Sequence, residues 1–164
     1  MDTEVESSEY RFDKQRADAA ITLSSGRTLQ GRLFLAGGSS RHDGPERVAD
    51  LLNSEAGFFP FEIDGRDGSE IVLLNRAHVV TVTVPENEAS LEPGYGIARR
   101  RAVAMVLADN HRLTGIVRVY RPEGRDRLSD WARQPETFRY VEADGMTVIV
   151  NTAHVVELSE IILL

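Results

Sequence analysis

Asn75-Arg76-Ala77-His78-Val79-Val80 returns as Asn151-Thr152-Ala153-His154-Val155-Val156, identical at five of six positions. A six-residue echo carries weight only if its surroundings recur in the same order. They do, on both sides of the motif.

Upstream, Ile21 to Leu35 alternates apolar and polar residues on either side of Ser25-Gly26. That pattern predicts a β-hairpin whose Gly26 supplies the positive φ of a tight primed turn. Met105 to Tyr120 repeats it, with Asn110 in place of Gly26, Leu113 in place of Leu29 and Gly115 in place of Gly31. Asparagine is the commonest non-glycine residue at positive φ, so the exchange preserves the turn. Gly31 and Gly115 each interrupt a strand, as at a bulge or the bend of a small barrel.

Next comes helical spacing: Pro45 suits a first helical position, and Val48, Leu51 and Leu52 fall at i, i+3 and i+4. Leu128, Trp131 and Ala132 repeat that spacing, which makes Trp131 a core residue rather than a platform for a ligand. Phe58 to Ile63 and Glu70 to Leu74 read as strands joined by a turn, and Phe138-Arg139-Tyr140 answers Phe59-Pro60-Phe61. A valine-rich strand, Val79 to Val84, follows the motif and stops at Pro85.

Order is preserved throughout, which predicts an internal duplication. The expected map is a mobile arm over 1–18, a first unit over 19–85, a Pro-, Gly- and acid-rich connector over 86–101 and a second unit over 102–164. Each unit resembles the Sm-like family of small, strongly bent five-stranded barrels. Ile21 to Leu35 is similar to that family's first motif and Ile71 to Val84, loosely, to its second. The fold class expected is therefore mainly β with short helices, as two tandem Sm-like or more generally SH3-like small β-barrels. Sm-like proteins assemble as rings, so the resemblance also implies self-association or RNA binding. The family's RNA-contacting Asp-Asn pair is replaced here by loop and helix. Its basic residue and glycine before the last strand are replaced by Leu74-Asn75 and Val150-Asn151, so no RNA contact carries over.

The candidate sites are few. His78 and His154 occupy matching places where two imidazoles could ligate a metal, but with no cysteine and no carboxylate in the motif the reading is local hydrogen bonding, with no metal and no cofactor. Asn75 and Asn151 suit turns, where the side chain bonds nearby backbone. Arg47 with Asp50, and Arg127 with Asp130, are three apart on their helices and suit ion pairs, with an anion or partner site as the functional alternative. Arg99-Arg100-Arg101 is the densest basic run, a possible contact for RNA or an acidic partner, or a solvated lead-in to the strand at Ala102.

The totals limit the function. With 19 Lys and Arg against 26 Asp and Glu, the net charge of −7 repels phosphate backbones and anionic membranes. The first twenty residues hold six acids and no apolar run, and cysteine is absent, so the expectation is a cytoplasmic chain outside the membrane. No nucleophile-and-base, zinc-binding or phosphate-loop pattern occurs, so no catalytic residue is assigned. The expected function is a non-catalytic protein-interaction or assembly module, with an RNA-binding Sm-like protein and a small-ligand binder between the two units as alternatives. The apolar end, Ile161 to Leu164, is expected to add a strand edge or bury against the other unit or a second chain.

Overall fold

The computed structural model describes residues 14–39, 41–65, 67–85 and 87–162. The expectations for the first thirteen residues and for Leu163 and Leu164 lie outside the described residues. Ten antiparallel strands and two short helices organise the rest. The strands are β1 (Lys14–Leu23), β2 (Thr28–Ala36), β3 (Phe58–Gly65), β4 (Gly68–Asn75) and β5 (Val79–Val84), then β6 (Arg99–Leu107), β7 (Arg112–Val119), β8 (Phe138–Ala143), β9 (Met146–Asn151) and β10 (Val155–Glu160). Helix α1 (Val48–Ser54) lies between β2 and β3, and α2 (Leu128–Ala132) between β7 and β8.

All ten strands join in one unclosed sheet in the order β10-β6-β7-β8-β9-β5-β1-β2-β3-β4. The five strands of each half follow the same internal order, last-first-second-third-fourth. A four-residue ladder between β5 and β9, Thr81 opposite Val150 to Val84 opposite Thr147, ties the halves together.

Local chemistry recurs between the halves. Gly26 has φ +89° and Asn110 φ +67°, as their turns require. Ser24 N donates to the His78 carbonyl at 2.8 Å, and Ala108 N donates to that of His154 at 2.9 Å, which closes each hairpin on the motif. A Cβ on Gly31 would overlap the carbonyl of Glu62, and one on Gly115 would lie 2.5 Å from that of Glu142. These glycines let the neighbouring backbone approach where the sheet bends.

Three readings change in detail. β1 starts at Lys14, before the apolar alternation: Lys14 to Ala20 pairs with β2 residue by residue, although its alanine, glutamine and charged side chains carry little apolar signal. Helix α1 starts at Val48 and leaves Pro45 outside. The Asp50 carboxylate accepts from Arg47 N at 2.8 Å and that of Glu88 from Val48 N at 2.5 Å, so the partners for the free N–H groups start the helix three residues later. Phe138, opposite Asn151, matches Phe58, opposite Asn75, so the correspondence in this strand is one residue off the sequence match to Phe59.

Two apolar clusters form the core, and each crosses the junction. The first holds Ile21, Leu33, Leu52, Phe59 and Phe61 together with Phe138 and Ile149 from the second half. The second holds Val103, Met105, Val117 and Trp131 together with Val80 from the first.

Candidate functional site

Two regions present chemistry beyond the core: the junction of the halves with the sheet ends that match it, and a cleft beside it. At the junction the Asn151 side chain, 2% exposed, donates to the Val79 carbonyl at 2.9 Å and accepts from Ala153 N at 3.0 Å. His154 Nε2 lies 2.8 Å from the Ala77 carbonyl. Asn53 of α1 makes a two-way bond with the Phe138 backbone, at 2.9 Å in each direction. Both motif residues of the second half thus bind the first half.

Of their counterparts, Asn75 ends the free edge strand β4 and His78 lies in the turn from β4 to β5. Asn75 accepts from Ala77 N at 3.1 Å, and His78 Nδ1 meets the Ser24 hydroxyl at 2.9 Å. Backbone surroundings agree and side-chain partners differ, because β4 lacks the neighbour that β9 has in β5. Large apolar side chains show the same contrast. Leu73 is 66% exposed and the matching Ile149 0%; Val156 is 66% exposed and the matching Val80 1%; Phe58 is 60% exposed and the matching Phe138 4%. Of the apolar C-terminal stretch, Ile161 N donates to the Ala102 carbonyl just beyond β10, Ile162 is 81% exposed, and Leu163 and Leu164 lie outside the described residues.

The helix pairs do not ion-pair with each other. Asp50 and Asp130 accept from the backbone N–H of Arg47 and Arg127, at 2.8 and 3.0 Å, which caps each helix. The Arg47 guanidinium turns to Glu92 at 3.2 Å and the Leu91 carbonyl at 3.0 Å, and Asp50 also holds His42 at 2.6 Å. Satisfying unbonded helix N–H groups outweighs a solvent-screened ion pair. The arginine run belongs to β6 rather than to a lead-in. Arg101 reaches Glu160 at 3.2 Å and Asp126 at 3.7 Å, Arg99 reaches Asp126 at 3.7 Å, and exposed Arg100 stands opposite Arg118.

The cleft, about 590 Å³, lies between α1 and the β8 side of the second half, under the Glu88–Leu91 turn that follows β5. Glu88 anchors its roof, since its carboxylate accepts from Val48 N, from Ala49 N at 3.2 Å and from the Tyr140 hydroxyl at 2.9 Å. Burial raises the Glu88 carboxyl above the ordinary range despite those bonds. In one wall Arg118 stacks on Tyr95 at 3.6 Å and binds Glu142 at 2.7 Å. Burial pushes Glu142 up, but the bonds from Arg118 and Tyr95 prevail and hold it below the ordinary range.

Sequence reading missed Glu88, Asn53 and Tyr140. Glu88 falls in the connector expected over 86–101, and nothing local marks side chains such as those of Asn53 and Glu88, whose partners lie 85 and 40 residues away. No protein-family model, curated protein or solved structure matches this chain.

Proposed function

We propose that the chain is a non-catalytic assembly module made of two duplicated Sm-like units, and that it associates with further copies of itself through β4 and β10. Five strands per half, in one shared order, support the Sm-like reading. The observation that carries the assembly is the exposure of Leu73, Val156 and Phe58 at the free ends, where the matching Ile149, Val80 and Phe138 are buried at the inner junction.

The two ends are complementary. β10 matches β5 and β4 matches β9, so β10 of one copy can pair with β4 of the next as β5 pairs with β9. The inner register then places Leu158 opposite Leu73 and Ser159 opposite Val72. Asn75 takes the role of Asn151 and donates to the Val155 carbonyl of the second copy, and His78 faces its Ala153 carbonyl. Glu160 on this edge is already balanced by Arg101. Burying each of Leu73, Val156 and Phe58 contributes about 1.5–3 kcal/mol, and the contact is head-to-tail, the type that closes rings or extends filaments. RNA binding is less well supported, since Arg99 and Arg101 lie near Asp126 and Glu160 and the net charge is −7.

Light scattering on the full chain tests the proposal. The expected mass is a whole multiple of one chain, falling to one chain for Leu73→Lys and for Val156→Lys, while Ile97→Lys, at a 93% exposed position outside both edge strands, should leave the mass unchanged, with circular dichroism checking that all three variants fold. A wild-type monomer at about 100 μM, some hundredfold above a micromolar Kd, sinks the assembly.

A further inference from the structure

We propose that the cleft between the halves binds a small aromatic anion, an aryl carboxylate or aryl phosphate, with its charged group between Arg41 of the first half and Arg121 of the second and its ring against Tyr120. The hollow has the size of small-ligand sites and the position they favour, at an interface between units.

Charge selects the class of ligand. The chain is strongly acidic, yet the cleft is lined by five arginines against four carboxylates. Three of those carboxylates are already committed to cations of the lining: Asp50 to His42, Glu92 to Arg47 and Glu142 to Arg118. Glu136 is the fourth. Arg139 spends its donors on the Trp131, Gln134 and Glu136 carbonyls, which satisfies its N–H groups without cancelling its charge.

Two arginines keep donors to spare. Among the described residues Arg41 makes one side-chain bond, to the Asn53 carbonyl at 3.1 Å, and Arg121 makes none. Both line the same cleft, Arg41 from the first half and Arg121 from the second, and the proposal seats the anion between them. A planar guanidinium matches the paired oxygens of carboxylate and phosphate.

The remaining surface favours a ring. Trp131, Phe138, Pro93 and Pro135 give the cleft apolar walls, and Tyr120 presents a partly open face, 37% exposed. Burial and Glu92 push the Tyr120 hydroxyl up to about 12, so it stays protonated and donates to an anionic oxygen.

Titration of the full chain with phenyl phosphate and with benzoate, read by calorimetry and by the fluorescence of the single tryptophan, tests the site. Expected is saturable binding of at least one of them, with inorganic phosphate and phenol each at least about tenfold weaker. Arg41→Gln and Arg121→Gln should each weaken the tighter ligand about tenfold, and Arg27→Gln, in the β1–β2 turn, should leave it unchanged. The better of the two probes identifies the anionic group. Absence of saturation up to about 10 mM, phenol binding as tightly as phenyl phosphate, or indifference to both arginine changes overturns the inference. None of these readouts depends on whether the chain associates through its edges.

Discussion

Asn151 donates its amide to the Val79 carbonyl at 2.9 Å across the junction, whereas the matching Asn75 lies on the edge strand β4, which has β3 on one side and no strand on the other. One side chain type thus has two settings, set by what the sheet places next to it. At Asn151 the amide is buried and bonds both halves, with its oxygen on Ala153 N and its nitrogen on Val79. Asn151→Ala removes both of these and the longer bond to the Arg76 carbonyl at 3.4 Å, all at a buried site. The expected loss is about 2 kcal/mol of unfolding free energy, measured by urea denaturation at fixed chain concentration. A change under about 0.5 kcal/mol would show that the junction bond does not support the fold.

Glycine positions separate two kinds of constraint. A methyl group on Gly31 overlaps the Glu62 carbonyl, and on Gly115 it meets both the Glu142 carbonyl and the Val141 side chain, so backbone must move. Gly38 has open space and an ordinary φ. Gly31→Ala and Gly115→Ala should each cost about 3 kcal/mol or prevent folding, and Gly38→Ala should stay within about 0.5 kcal/mol of wild type. Thermal melts of the three variants decide the matter, and equal behaviour would refute the close approach.

Much of this was legible in the chain. Alternation around Gly26 and Asn110, helical spacing around Leu52 and Trp131, and the valine-rich strands after each motif mark elements whose signal is local. What was not legible depends on distant partners. Lys14 to Ala20 joins β1 through pairing with β2, although it offers only alanines as apolar side chains. Arg47 and Asp50 have the spacing of an ion pair, but Glu92 and a backbone N–H compete for them. The cleft joins α1, the turn after β5 and β8, so no single stretch of sequence encodes it.

Glu88 makes stability depend on pH in a direction opposite to that of an ordinary paired carboxylate. Burial is the largest influence on it and raises its folded pKa above the ordinary 4.5, against the bonds from Val48 N, Tyr140 and Ala49 N. The folded chain therefore holds this proton more tightly than the unfolded chain. The contribution of Glu88 is fully present below pH 4.5 and is lost as pH rises through its raised folded value. Glu88→Gln removes that dependence. Subtracting its stability-against-pH curve from the wild-type curve should leave a difference that falls with rising pH above 4.5, and a difference that rises instead would show that the hydrogen bonds outweigh burial.

Asn75 distinguishes a contact within the chain from one between chains. In the isolated chain it bonds Ala77 N at 3.1 Å near the surface, so Asn75→Ala should cost only about 0.5–1 kcal/mol of unfolding free energy, less than Asn151→Ala. If β4 pairs with β10 of a second copy, the same change also removes the bond to the Val155 carbonyl there. Association should then weaken by about 1 kcal/mol, roughly fivefold in Kd, as read by sedimentation over a dilution series. Asn151→Ala, whose partner lies in its own chain, should leave the Kd of the folded protein within about twofold of wild type. Opposite rankings of the two variants in unfolding and in association are the expected result. Matching rankings would mean that the β4 edge does not work as the inner junction does.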